Sequence, residues 1–298
     1  MRRPVDGIFL LDKPSGISSN AALQRVKRHF SAMKAGHGGT LDPLASGLLP
    51  IVFGEATKFA GQFLESDKAY ETRLMLGAAT ATGDAEGAVV ARAEVATNES
   101  TVKTTLQSFR GEYMQTPPMY SALKVQGTPL YKLARGGQHI DRQPRQVMIR
   151  RLELREFTPN SLVLYIECSK GTYIRTLGED IAVALGTVGH LNSLRRVRTG
   201  TYSVVDAMTL DAVESTDSGD LMMRMLSLEA MFEDFPRVVL TPIDSARFRN
   251  GMSVECAAPL GNCGVFDSNG VLIGVGLADA AGSIRPQRLR ATGSHANS

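Results

Sequence analysis

Fourteen consecutive residues, His37-Gly38-Gly39-Thr40-Leu41-Asp42-Pro43-Leu44-Ala45-Ser46-Gly47-Leu48-Leu49-Pro50, carry one carboxylate, Asp42, in a stretch with almost no other charge. Glycines stand on both sides of it and Pro43 follows it directly. Glycine permits positive φ or close backbone approach, and proline fixes φ, so the segment reads as a rigid loop that presents one acid. For an isolated Asp-Pro pair the ordinary reading is a turn aspartate bonded to its own backbone. A string of this length and glycine placement constrains the chain far more than a short motif does.

The flanking sequence supplies regular elements for such a loop. Gly7 to Leu11 is an apolar strand that runs into the turn Asp12-Lys13-Pro14-Ser15-Gly16. Ser18 or Ser19 can cap a helix whose apolar face is Ala22, Leu23, Val26 and Phe30. Ile51 to Phe53 reads as a buried strand. From Ala69 to Gly77 the pattern alternates, with Tyr70, Thr72, Leu74 and Leu76 on one face, and Thr80 to Gly87 is a polar loop. Ser161 to Cys168 is a further strand. A helix begins near Lys170-Gly171, with Ile174, Leu177, Ile181 and Leu185 along one side. From Asp206 to Asp234 the chain is acidic and helical, with Asp217 to Asp220 as a break. Beyond Phe235 the style changes. Thr241-Pro242 starts a helix that Gly251 ends, and Asp267 to Gly270 is a hairpin turn between two apolar runs.

These elements predict an α+β fold. The expectation is a larger domain at 1–234 around a mixed, largely antiparallel sheet with flanking helices. A small β-rich domain follows at 235–298 and ends in a frayed, disordered tail from Ala291.

The 298 residues are 43% hydrophobic and suffice for one large domain or a large and a small one. There is no run of about 18 apolar residues and no basic-then-apolar start, which predicts a soluble, cytoplasmic protein with no membrane partner. Cys168, Cys256 and Cys263 lack CxxC spacing, and the five histidines form no HExxH pair. Reduced thiols and no metal site are expected. No Walker A string and no GxSxG elbow occur.

Net charge is only +3, yet Lys124 to Arg155 holds eight cations against two anions. With Tyr131, Gly136, Gly137, Pro129 and Pro144 among them, this reads as an extended basic excursion with few apolar anchors. It is either a solvated surface loop or a surface that neutralises phosphates, with salt-dependent binding.

The Asp42 string resembles the catalytic loop of the TruB family of tRNA pseudouridine synthases. The resemblance extends in family order from about residue 7 to 200. It includes Lys13-Pro14-Ser15-Gly16, Lys68-Ala69-Tyr70, Tyr120 to Lys124, Leu130 to Arg135, Lys170 to Leu177 and Leu194-Arg195-Arg196. Ala81 departs from it, standing where an acidic residue is common. The C-terminal part resembles a PUA-type RNA-binding domain.

The resemblance implies isomerisation of uridine 55 in the T loop of tRNA to pseudouridine, with no cofactor, no required protein partner and a monomeric enzyme. It places Asp42 at C1′ of a flipped uridine, as nucleophile or as the base that initiates glycal formation. Arg175 holds that acid charged, and Tyr70 and Tyr173 take the extruded base, with Tyr70 also assisting proton loss at C5. His37 occupies the space vacated by the base or packs on the RNA loop, and Leu194 lines the pocket. Lys13 and Pro14 support the Asp42 loop. Lys124, Lys132, Arg135 and Arg142 grip RNA from a thumb insertion at about 116–146.

Three alternatives remain at this level. A non-catalytic RNA binder would have no need of Asp42 in a neutral loop. A pseudouridine synthase acting on rRNA would carry an arginine where Thr40 stands. A glycosidase requires two carboxylates flanking the bond, and the Asp42 loop offers one.

Overall fold

The apolar run at the N-terminus forms the strand Gly7–Lys13, which pairs antiparallel with Ser46–Phe53 along its whole length. The computed structural model describes residues 2–291 except 122, 126 and 139, and all their side chains other than those of Lys124, Pro129, Tyr131 and Arg135. The expected tail therefore lies outside the described residues from 292 onward.

Ten strands form the main sheet. Met208–Thr209 pairs parallel with the first strand at one edge. On the other side Ser46–Phe53 pairs parallel with Gly189–Thr199, through Ser46 and Gly47 only. From there the sheet is antiparallel, running through Lys68–Leu76, Ser161–Cys168, Arg145–Thr158 and Gly111–Gln115. It is thus mixed and mostly antiparallel, as the sequence predicts. A second sheet of five strands gathers residues 237–289, and its Gly261–Phe266 and Leu272–Ala278 strands are joined by the Asp267 turn. Phe266, Leu272 and Val275 from this sheet share one apolar cluster with Ile8, Leu48 and Val52 of the first.

Several helices pack on the main core, and two of them flank the Asp42 loop. Ser19–His29 starts where Ser18 accepts a hydrogen bond from the Ala21 amide, and it buries Ala22, Leu23 and Val26. Phe30, just after it, packs between Phe9 and Phe53 with ring centroids 5.1 and 4.9 Å away. Ile174–Ala184 buries Leu177 and Ile181 in the same core. Among the described residues no helix is long and apolar enough to cross a membrane.

Two expectations need correction. Residues 145–155 are not part of an irregular basic excursion; they belong to the 14-residue strand Arg145–Thr158. Alternating apolar residues are the reason, since Val147, Ile149 and Leu152 are buried while the arginines face outward and pair with acids. Arg150 binds Asp67, Arg151 binds Glu153, and Arg155 binds Glu153. The break foreseen at Asp217 to Asp220 instead starts a short helix, Ser218–Met223, which buries Leu221.

The Asp42 loop is tied down from three directions. Ser19 Oγ donates to the Leu41 carbonyl at 2.8 Å and accepts from the Leu41 amide at 2.7 Å. Lys13, fully buried, donates to the carbonyls of Pro14 and Ile17 at 2.8 and 2.7 Å and reaches that of Pro43 at 3.5 Å. Arg196 donates to the Leu48 and Gly39 carbonyls at 2.8 and 3.2 Å. Where the loop enters its strand, Gly47 has φ +101°, and a Cβ there would lie 2.2 Å from the Arg196 carbonyl oxygen.

Gly47→Ala is therefore expected to destabilise the protein by at least about 2 kcal/mol, measured by urea unfolding against the parent. Lys13 yields a second prediction. Burial, only partly opposed by Asp42, lowers its ammonium from 10.5 to about 8. Between those values the unfolded chain binds more protons than the folded one, so this site adds stability as pH rises through that window. The unfolding free energy of the parent minus that of Lys13→Met should increase from pH 7 to pH 10; a flat or falling difference would contradict the assignment.

Candidate active site

The parallel pairing beside the Asp42 loop involves only two residues of Ser46–Phe53, and a cleft of about 280 Å3 opens where the sheet parts. Asp42, Tyr70, Tyr173, Arg175 and Leu194 all line it. Five of the residues singled out in the sequence, spread over some 150 positions, thus share one wall system. Tyr70 reaches the cleft because the Lys68–Leu76 strand alternates its faces, and Leu194 comes from the neighbouring Gly189–Thr199 strand.

Arg175 sits in the first turn of the Ile174–Ala184 helix, with its side chain only 5% exposed. Its Nε lies 3.0 Å from Asp42 Oδ2. One terminal nitrogen donates to the Thr82 carbonyl at 2.6 Å and the other to the Tyr120 carbonyl at 2.7 Å. The fork is thus used on every edge, in the planar manner that suits guanidinium to carboxylate. A second acid, Asp84, lies 3.7 Å from the same Nε and is equally buried. Asp84 Oδ1 is held by Thr82 Oγ1 at 2.5 Å and by the Glu86 amide at 3.1 Å. It stands behind the arginine and does not line the cleft.

Sequence reading missed Asp84 because an acid in a Gly/Thr turn looks like an ordinary turn aspartate, and its bond to the Glu86 amide makes it one as well. Gln115 was missed too. It is buried, its Oε1 accepts from the Tyr173 amide at 2.8 Å, and its Nε2 donates to the Tyr173 carbonyl at 3.0 Å. That two-point clamp sets the backbone from which Tyr173 and Arg175 project. A lone glutamine at a strand end carries no signal for such a role.

Asp42 is the exposed member of its ion pair. Its side chain is 39% exposed and faces the open cleft, while Arg175 is the buried partner. The loop geometry explains this, because its carbonyls and not its carboxylate are held inward. Tyr70 is buried, and burial pushes its phenol up to about 12, so it is neutral near pH 7. Burial also raises the Tyr173 phenol.

His37 is not brought into the cleft. It ends the short edge strand Ala35–His37, paired with Ile51, and burial followed by the nearby Arg196 lowers its imidazole pKa. Pro14 is exposed and contributes its carbonyl to Lys13. In the thumb, Lys132 is exposed. Arg142 is half-buried and spends one nitrogen on the Pro117 carbonyl at 3.1 Å. The side chains of Lys124 and Arg135 lie outside the described residues. No group of three His, Cys, Asp or Glu capable of holding a metal occurs among the described residues.

The arrangement presents one accessible carboxylate, fixed by a buried cation, in a cleft of about 280 Å3 that Tyr70 and Tyr173 also line. The profile of the TruB family pseudouridylate synthase N-terminal domain matches residues 27–174. The tRNA pseudouridylate synthase B C-terminal domain matches 175–246, and the pseudouridine synthase II TruB C-terminal profile matches 236–289. tRNA pseudouridine synthase B of Burkholderia mallei (strain NCTC 10247) is 46% identical over 300 residues, covering 98% of this chain and 99% of that protein. Its counterpart in Dechloromonas aromatica (strain RCB) is 46% identical over 287 residues, 96% of each. Among solved structures, an H/ACA RNP bound to a substrate RNA containing 2′-deoxyuridine aligns with TM-score 0.73 at 21% identity, over 97% of this chain and 86% of that one. A Cbf5-Nop10-Gar1 complex aligns with TM-score 0.74 at 23% identity, over 96% and 85%. These two likenesses concern the fold. By its profiles and its near full-length relatives, the chain belongs to the TruB family of pseudouridine synthases.

Proposed function

We propose that this chain converts uridine 55 in the T loop of tRNA to pseudouridine. The observation that carries the proposal is the 3.0 Å pair between accessible Asp42 and buried Arg175 in the Tyr70–Tyr173 cleft, in a chain 46% identical to tRNA pseudouridine synthase B.

The uracil leaves the helical stack and enters the cleft, which costs a few kcal/mol. Stacking on an aromatic ring returns about 1–3 kcal/mol per base, so Tyr70 and Tyr173 largely offset the cost. Asp42 then acts at the ribose, either by attack on C1′ or by removing the proton that leads to a glycal. Its partial exposure in the free protein fits this role, because the RNA itself covers the open side of the cleft and excludes water. Arg175 keeps the carboxylate aimed and charged, and Asp84 steadies the arginine from behind. Tyr70 takes part as a neutral phenol that orients the base and relays a proton. Lys13 and Pro14 act through the loop backbone, Leu194 walls the base slot, and His37 meets the RNA outside the cleft.

Lys124, Lys132, Arg135 and Arg142 contact phosphates from the thumb at about 116–146. The catalytic domain comprises 1–234, and 235–298 is a PUA-like RNA-binding domain. The enzyme works as a cytoplasmic monomer, without a protein partner or cofactor.

Asp42→Asn should release no tritium from a T stem-loop labelled at C5 of uridine while binding it within about threefold of the parent, since only the ionised acid can act at C1′. Substantial residual release would remove Asp42 from the chemistry. Neutralising Lys132, Arg135 and Arg142 together should reduce the slope of log K against log salt by about 2–3. An unchanged slope would mean that these cations are only a solvated face.

A further inference from the structure

Two buried cations in the cleft have no counter-ion among the described residues. Arg196 is 2% exposed and Lys68 is 7% exposed, and both line the cleft that holds Asp42. Arg196 donates to the Leu48 and Gly39 carbonyls, and Lys68 donates to the Leu64 carbonyl at 2.8 Å and to that of Ser66. All four acceptors are neutral. The surrounding charges are already matched. Arg195 binds Asp12 and Arg198 binds Glu167, on either side of Arg196. Glu65 and Asp67, the acids beside Lys68, bind Lys170 and Arg150. Asp42 belongs to Arg175.

Burying an unpaired charge is costly, and a fold commonly pairs it or replaces it with an apolar residue. Retaining two on one surface calls for an anion that arrives with the substrate. The strand register brings them together. Lys68 and Tyr70 alternate onto the same face of Lys68–Leu76, and Arg196 is the cross-strand partner of Tyr70. Lys68 and Arg196 therefore flank the tyrosine against which the base stacks.

We propose that Lys68 and Arg196 are catalytic residues that bind the uracil anion formed when the C1′–N1 bond breaks. This rests on the proposed uridine isomerisation. In that step the bonding pair stays with the base, so its charge spreads over N1, O2 and O4 while Asp42 acts on the ribose. The base then turns and C5 bonds to C1′. One proton leaves C5 and one is gained at N1, so the product is an isomer of the substrate. During the interval between the two bonds the base is anionic and close to a carboxylate. Cations lining the same cleft stabilise it and keep it from diffusing away. Two of the three ammonium protons of Lys68 are committed to carbonyls, which leaves one for an oxygen of the ring. Burial lowers the ammonium to about 8, so an arriving anion also relieves the strain of keeping it charged.

The test varies the stability of the leaving anion. Fluorine at C5 withdraws electron density and makes the detached ring a weaker base, so its departure depends less on cations. Fluorine blocks the later loss of the C5 proton but not the cleavage. Single-turnover loss of the N-glycosidic nucleoside is measured with T stem-loop RNA carrying uridine or 5-fluorouridine at the target position. Lys68→Met and Lys68→Gln should each slow the uridine RNA by about 100-fold and the 5-fluorouridine RNA by less than about fivefold, the size expected for loss of one preorganised donor. Lys68→Arg should recover most of the uridine rate, and Arg196→Lys should show the same preference for the fluorinated base. Both rates come from one preparation, so the folded fraction cancels in their ratio. Equal loss on the two RNAs, or no loss, overturns the proposal. Failure of the parent protein to convert either RNA would instead overturn the uridine reaction on which it rests.

Discussion

Arg175 enters the interior on the first turn of its helix and there joins segments far apart in the chain. It holds Asp42 from the Gly/Pro loop, the Thr82 carbonyl from the turn that contains Asp84, and the Tyr120 carbonyl at the root of the thumb. A buried guanidinium needs acceptors on every edge, and removing one partner of such a pair costs about 3–5 kcal/mol because the other charge is left unmatched. The same requirement that makes the arginine costly to bury makes it an organiser. The acid at the mouth of the cleft cannot wander without leaving the buried cation to Asp84 alone, and the Tyr120 carbonyl is fixed to the same group.

The loop around Asp42 is held through its backbone. Ser19, Lys13 and Arg196 bind carbonyl or amide groups of residues 39–48 and leave the carboxylate itself to the cleft. Fixing main-chain polar groups satisfies donors and acceptors that would otherwise be buried unpaired. It also positions the reactive side chain without shielding it. Preorganisation and accessibility are thereby separated: the scaffold provides the first, and the substrate completes the enclosure.

Charge is distributed unevenly around the cleft. Asp42, Arg175 and Asp84 lie in line on one side, with the two acids flanking the cation. The floor beneath Tyr70 carries Lys68 and Arg196, which face neutral carbonyls and, for Arg196, the Tyr70 phenol. In a low-dielectric recess such fixed charges act more strongly than in water and need no reorganisation as charge shifts in the substrate. Lys132, by contrast, is exposed, and a charge at the surface acts with an effect that falls with salt. Under the proposed function the buried cations serve the chemistry and the exposed one the grip.

Local pattern carried much of this architecture. The Ser18 cap, the alternation of Tyr70, Thr72 and Leu74, the Pro242 helix start and the Asp267 turn could be read because each depends on residues within a few positions. The Asp42 loop was legible for the same reason. The 145–158 strand was obscured because its arginines dominate the composition, while their acidic partners are Glu153 of the same strand and the distant Asp67 and Glu167. Asp84, Gln115, Lys68 and Arg196 gave no local sign of their places at the cleft. What assigns them is strand register and the crossing of distant segments, which bring a particular charge or amide to a particular wall. The amino-acid order by itself determined which residue could act as the exposed acid; only the folded sheet decided which cations surround it, because a buried charge is defined by neighbours that the chain supplies from elsewhere.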